Sequence, residues 1–129
     1  MNFVSFASGS SGNCYLLTEG RTAVLIDAGI SLRRIKTGLA RRSLTPDDLA
    51  GVLITHEHTD HTAGLTMLLK YHKNVKVYAP QTVAHALERA AAGIEERLVP
   101  IPVGESVALK NFTLTAFPTM HDTPESVGY

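Results

Sequence analysis

The feature that most restricts the fold of this chain is a short apolar run followed directly by a dense group of ligand-type side chains. Residues 52–54 are apolar and predict a buried strand. The next residues include His56, His58, Asp60 and His61. Neutral imidazoles and a carboxylate are the ligands that zinc and similar cations bind. A solvated polar loop is the alternative, but this density of ligand types after a strand favours a metal site.

The spacing inside this loop predicts two metal positions. His56 and His58 are two residues apart, so in extended chain their side chains point the same way. Asp60 and His61 are adjacent, and their side chains diverge unless the loop turns. The first pair therefore suits one metal ion and the second pair suits another.

Two residues outside the loop are further candidates for the same site. Asp27 follows a predicted strand and precedes a glycine, so it is placed to cap the next segment or to orient a metal-binding histidine from behind. His121 also follows a predicted strand. It lies beside the cluster if both strands end at one sheet edge, and otherwise it is an unrelated loop residue.

Composition and length restrict the class of protein. The 129 residues suffice for one domain with a real core, and 44% hydrophobic with 19% charged residues is typical of globular proteins. Basic and acidic residues number 12 each, so net charge neither favours nor excludes nucleic acid. Cys14 is the only cysteine, which suits a reducing compartment. With neither a secretory signal pattern nor a run of transmembrane length, we expect a cytoplasmic protein that does not enter membranes.

Strand and helix signals alternate along the chain and predict a mixed α/β domain over residues 1–129. Ser31 caps a predicted helix to about Arg41, Thr45 and Pro46 begin a short one, and Gly93 ends a helix that starts at Gln81. A further helix is expected at 65–72. Strands are expected near residues 3–6, 14–18, 22–26, 52–54, 75–78, 98–101, 106–109 and 111–117.

Two segments have the composition of phosphate-binding sites, although each has a simpler interpretation. The turn at residues 7–13 has two glycines, Gly9 and Gly12, whose backbone amides could cradle an anion, but hairpin turns use the same residues. Ser10, Gly12 and Asn13 are the candidate substrate-binding residues of this turn. The predicted helix after Ser31 has a basic face that could meet phosphates, and we expect solvated surface there. That face carries Arg33, Arg34, Lys36, Arg41 and Arg42.

Residues 55–61, Thr-His-Glu-His-Thr-Asp-His, resemble the His-x-His-x-Asp-His signature of the metallo-β-lactamase superfamily. The strand that ends in Leu-Ile-Asp-Ala-Gly at residues 25–29, and the later His121, stand where that family would place them. The opening segment at residues 5–13 is similar to the YycJ/WalJ-like branch, as is the His-Asp pair at 121–122 followed by Val-Gly-Tyr at 127–129.

This resemblance implies an αββα sandwich, a mixed β-sheet with flanking helices of which this chain supplies roughly the N-terminal half. It implies a centre of two divalent ions, with zinc expected and manganese or iron as alternatives. One ion would be held by His56, His58 and His121, and the second by Asp60 and His61. Asp27 would support the ligands from behind, and Asp60 would also steer the attacking hydroxide.

The implied activity is metal-dependent hydrolysis, and for this branch a phosphodiesterase that acts on DNA as an exonuclease. A thioester or lactone hydrolase of the glyoxalase II kind is the alternative enzyme, and a non-catalytic metal-binding module is the alternative outside enzymes. The family also uses a bridging carboxylate and a further histidine. In this sequence the only acidic residues after His121 are Asp122 and Glu125, and no histidine follows it. We therefore expect a domain truncated at its C-terminal end, completed by the other half of the fold or by an oligomeric partner.

Overall fold

A six-stranded mixed sheet forms the centre of the computed structural model, which describes residues 1–90, 93–119 and 127–129. The strands lie side by side in chain order, with the first three antiparallel and the last four parallel to one another. They are β1 (Asn2–Ala7), β2 (Cys14–Glu19), β3 (Thr22–Ile26), β4 (Leu49–Leu53), β5 (Val77–Ala79) and β6 (Leu98–Pro100). The predicted α/β class is confirmed.

The helices and the remaining strands surround this sheet. The α-helices are α1 (Leu32–Ala40), α2 (Thr59–Thr62), α3 (Leu65–Tyr71) and α4 (Gln81–Ala90), with 3₁₀ turns at Pro46–Asp48 and Glu95–Arg97. Strands β7 (Ser106–Leu109) and β8 (Phe112–Thr115) form a hairpin, and β9 (Phe117–Pro118) pairs with β10 (Val127–Gly128). None of the described helices is long and apolar enough to cross a membrane.

Local signals explain most element boundaries. The Ser31 hydroxyl accepts a hydrogen bond from the Arg34 backbone N–H at 3.2 Å and begins α1 where predicted. Strand β4 begins at Leu49, earlier than expected, because parallel pairing with β3 extends back to that residue. The single strand expected over 111–117 is divided into β8 and β9, since each half pairs with a different strand. Helix α2 was not predicted because its four polar or small residues carry no apolar period.

Each face of the sheet packs against a separate hydrophobic core, and successive residues of β3 point into different cores. Leu25 faces the first core together with buried residues of α1, α3 and α4, whereas Val24 faces a second core with Phe112 and Leu114 of the hairpin. An apolar hollow of about 360 Å³ remains between this second face and the hairpin. Because β3 to β6 are parallel, their carboxyl ends share one edge, and the loops after β3 and β4 meet there.

Candidate metal centre

Asp27 organises the site from the end of β3. Its backbone adopts a left-handed conformation with φ 65°, which aspartate tolerates better than most residues. The side chain is only 2% exposed and accepts three hydrogen bonds, from the Thr55 backbone N–H (2.8 Å), the Thr55 hydroxyl (2.7 Å) and Nδ1 of His61 (2.6 Å). A buried carboxylate needs such partners to offset its lost hydration. Asp27 therefore fixes both the strand end and a histidine of the loop.

The hydrogen bonds around Thr55 determine which ring nitrogens carry protons. A carboxylate only accepts, so the single hydroxyl proton of Thr55 points to Asp27. The Thr55 oxygen then accepts from Nδ1 of His56 at 2.7 Å, while Nδ1 of His61 donates to Asp27. In its neutral form, each of these two imidazoles consequently carries its proton on Nδ1 and its lone pair on Nε2, as a metal-binding histidine requires.

Asp60 and His61 converge, although their adjacency in sequence favours divergence. The loop turns into α2 at this point, which brings Oδ2 of Asp60 to 3.4 Å from Nε2 of His61. A tetrahedral zinc ion with bonds of about 2.0–2.1 Å places its ligand atoms about 3.4 Å apart. The pair therefore has the spacing of two ligands of one ion.

The electrostatics of His61 reflect the same contacts. Burial on its own lowers the pKa of His61, but the hydrogen bond to Asp27 and the negative charges of Asp27 and Asp60 outweigh it and raise the pKa above its usual value. Two carboxylates thus make this position favourable for positive charge. A divalent cation beside Nε2 would benefit from the same two charges.

The structure brings three of the predicted residues into one group. Asp27, His56 and His61 each offer a ligand atom, and these atoms lie within 4.8 Å of one another. The 2.6 Å contact between Asp27 and His61 is a hydrogen bond, shorter than the separation of two ligands of one ion. We therefore interpret Asp27 as the residue that orients His61, and the His–Asp donor set fits a divalent cation.

The other expected ligands are placed as follows. The ring of His58 is exposed, at the start of α2, with its centroid 6.0 Å from that of His56. His121 lies outside the described residues, as do Asp122 and Glu125. Their part in the site stays a prediction.

Close backbone packing holds the two loops together. A Cβ on Gly29 would overlap the carbonyl oxygen of Asp60, and one on Gly64 would overlap the carbonyl oxygen of Ile30. The backbone of Ala28 donates to His61 at 2.8 Å and accepts from Gly64 at 2.8 Å. Glycine at both positions is thus required for the loop after β3 to support the metal loop directly.

The turn predicted as an anion cradle also contacts the metal loop. The Asn13 side chain donates to the Gly9 carbonyl (2.8 Å) and to Oδ2 of Asp60 (3.2 Å), and its backbone N–H donates to the Asp60 carbonyl (2.7 Å). Gly12 is buried against Gly29, whereas Ser10 is exposed. Asn13 therefore steadies Asp60, and any anion binding by this turn stays a prediction.

Sequence reasoning missed Thr55 and two other residues near the cluster. The only signal for Thr55 is a hydroxyl residue directly before the first histidine. The Tyr129 hydroxyl donates to the Ile54 carbonyl at 2.8 Å, and burial together with the Asp27 charge raises the pKa of Tyr129. Oε2 of Glu57 is buried and has no hydrogen-bond partner among residues 1–90, 93–119 and 127–129.

Comparison with known proteins agrees with this fold. A family model described as the beta-lactamase superfamily domain matches residues 22–129. The solved structure of the MIM-2 metallo-β-lactamase superposes with a TM-score of 0.75 at 26% identity, covering 97% of this chain and 51% of that one.

The names of three curated relatives state two different activities. Exodeoxyribonuclease YycJ of Bacillus anthracis is 29% identical over 131 residues, covering 100% of this chain and 49% of the relative. Exodeoxyribonuclease WalJ of Streptococcus pneumoniae is 39% identical over 84 residues, covering 65% and 31%. Hydroxyacylglutathione hydrolase of Pectobacterium carotovorum is 26% identical over 128 residues, covering 99% and 42%. The chain spans about half the length of the first of these relatives and less of the other two.

Proposed function

Because this chain belongs to the metallo-β-lactamase superfamily, we propose that it is a metal-dependent hydrolase with a centre for two divalent ions, zinc in the first instance. The observation that carries the proposal is the 3.4 Å separation of Asp60 Oδ2 and His61 Nε2, with Nδ1 of His61 anchored on Asp27. This arrangement presents a ligand pair with a fixed tautomer and spacing. When bound, such ions supply Lewis acidity to a substrate oxygen and lower the pKa of a water molecule.

The residues of this chain have separate tasks in that proposal. His56, His58 and His121 hold one ion, and Asp60 and His61 hold the other. Asp27 keeps the imidazoles of His56 and His61 in the tautomer that leaves Nε2 as the ligand atom, directly for His61 and through Thr55 for His56. Asp60, steadied by Asn13, also orients the attacking water through its carboxylate.

The proposed substrate is a phosphodiester, DNA cleaved from an end. The names of the two exodeoxyribonuclease relatives support this choice, and so does the similarity over the whole chain to one of them. We also propose a cytoplasmic location, and a centre whose remaining ligands come from the other half of the fold or from a partner subunit.

Metal content and cleavage, measured together, test the proposal. The protein is compared with its His58→Ala variant, and with His85→Ala on the exposed side of α4 as the matched control. We expect bound metal to fall and DNA cleavage to drop at least about 100-fold in His58→Ala, with neither changed in the control. Unchanged cleavage in His58→Ala would remove the basis for the two-ion centre.

Thioester hydrolysis is the second candidate, supported by the hydroxyacylglutathione hydrolase relative that aligns with 99% of this chain. Assaying a thioester beside labelled DNA separates the two, since turnover of the thioester without cleavage of DNA favours this candidate. A chain that binds metal and turns over neither substrate is the non-catalytic module.

A further inference from the structure

A groove with a strong local excess of positive charge lies between β1 and α1. It has a volume of about 380 Å³ and is lined by Phe6 and by four arginines, Arg33, Arg34, Arg41 and Arg42. No aspartate or glutamate is among its lining residues, although the whole chain has as many acidic as basic residues. We call this feature the arginine groove.

Helix geometry explains how the groove forms. Arg34, Gly38 and Arg42 are spaced by four and share one row on α1 and its C-terminal extension, and Arg33, Thr37 and Arg41 form the neighbouring row. Each row therefore has an arginine at both ends and a small residue at its centre. Eight residues of helix rise about 12 Å, so the backbones of the two arginine pairs stand about that far apart.

An aromatic ring forms part of the lining. The Phe6 ring of β1 packs so closely on Gly38 that a Cβ there would overlap it. The guanidinium of Arg42 lies 5.8 Å from the centre of this ring and donates to the Gly38 carbonyl at 3.2 Å. Arg42 is thus held at one end of the groove by contacts that leave its charge uncompensated.

The charges of the groove have no acidic partner within the described part of the protein. None of the four arginines forms an ion pair with residues 1–90, 93–119 or 127–129, whereas Arg21 pairs with Asp48 at 3.6 Å. Repulsion between four unpaired cations around one cavity is unfavourable. Such an arrangement suits a ligand with several negative charges in a row rather than a single anion.

We propose that the arginine groove binds the phosphodiester backbone of a nucleic acid strand, outside the metal centre. Guanidinium groups match phosphate oxygens through paired N–H donors, and two arginine pairs about 12 Å apart contact separate, non-adjacent phosphates of one strand. The inference rests on the proposed function only for the choice of nucleic acid over another polyanion. The binding itself requires no metal.

The test is binding of a fluorescein-labelled oligothymidylate, followed by anisotropy in EDTA across a salt series. The groove variant is Arg33→Gln/Arg41→Gln, because neither side chain makes a hydrogen bond or ion pair within the described residues. The control is Lys70→Gln/Arg89→Gln, which removes the same charge from exposed positions outside the groove. Circular dichroism establishes that each variant is folded.

Counterion release gives the expected size of the effect. Each phosphate contact of a single strand contributes about 0.7 to the slope of log K against log salt, or about five-fold at about 0.1 M salt. The groove variant should therefore bind about 25-fold more weakly, with a slope smaller by about 1.4, and the control should stay within about two-fold.

Three results would overturn the proposal. The control variant could lose as much affinity as the groove variant, or the affinity of the unaltered protein could be independent of salt concentration. Polyglutamate could also displace the labelled oligonucleotide as well as an unlabelled oligonucleotide does. The last would assign the groove to an acidic polypeptide instead. Cleavage with metal present is measured separately. If binding behaves as expected and no substrate is cleaved, the hydrolase proposal fails and the groove proposal stands. If the protein cleaves DNA but the groove variant binds the oligonucleotide as tightly as the unaltered protein, the groove proposal fails and the hydrolase proposal stands.

Discussion

Replacing Thr55 by valine tests how the metal ligands are oriented. Valine keeps the β-branched shape and removes only the hydroxyl, which bonds both Asp27 and Nδ1 of His56 at 2.7 Å. Thr55 is 9% exposed, so water replaces these bonds poorly. A hydrogen bond to a charged group contributes about 1.5–3 kcal/mol and a neutral one about 0.5–1.5 kcal/mol. We therefore expect the free energy of unfolding to fall by about 2–4.5 kcal/mol.

The same variant should weaken metal binding. Without the Thr55 oxygen, the proton of His56 is no longer directed to Nδ1, and the tautomer with the proton on Nε2 becomes populated. Residues that orient metal-binding histidines typically contribute about 10–100-fold to metal affinity. We expect a loss of that size for zinc, measured by competition with a chromophoric chelator.

Two control variants and a direct measurement of the His56 tautomer test this prediction. Thr55→Ser restores the hydroxyl and should recover most of the affinity, and Thr66→Val alters an exposed threonine of α3 and should change stability by less than about 0.5 kcal/mol. Imidazole ¹⁵N shifts of the metal-free protein report the His56 tautomer. If Thr55→Val keeps its zinc affinity and the tautomer of His56 is unchanged, the relay from Asp27 through Thr55 does not exist.

Three other residues give independent tests. Asp27→Asn removes the charge that raises the pKa of His61, so an NMR titration of the metal-free variant should find that pKa lower than in the unaltered protein; an equal or higher value would contradict the assignment. Gly29→Ala drives a Cβ into the Asp60 carbonyl and should lower the free energy of unfolding, measured by urea denaturation, by about 1–3 kcal/mol. The loss should be larger than that for Gly20→Ala, where a Cβ meets no atom within 4 Å and only the positive φ is unfavourable. Burial, then the Asp27 charge, raises the pKa of Cys14 from 9.0 to about 12, so dithionitrobenzoate at about pH 8 should label it only after unfolding. Above about pH 9 the thiol of Cys14 loses its proton in the unfolded state but keeps it in the folded state, so the free energy of unfolding should fall as pH rises. Cys14→Ala should make this decline less steep; an equally steep decline in the variant would contradict a raised pKa of Cys14 in the folded state.

Local chemistry made much of the fold predictable. Caps such as Ser31, the turn at Gly20, the apolar period of α1 and the apolar run of β3 act over a few residues, so the sequence alone located these elements. Boundaries that depend on a partner strand were less accurate, as β4 and the division of residues 111–117 illustrate. Pairing between distant segments fixes those ends, and no local signal reports it.

The candidate site divides in the same way. The ligand types and their spacing in the loop from His56 to His61, with Asp27 at a strand end, were sufficient to predict a metal centre, because ligand chemistry belongs to the side chains. The roles of Thr55 and Asn13, the tautomers of His56 and His61, and the convergence of Asp60 with His61 came only from the tertiary structure. Each depends on hydrogen bonds between residues far apart in the chain, and only the parallel alignment of β3 and β4 brings those residues within bonding distance.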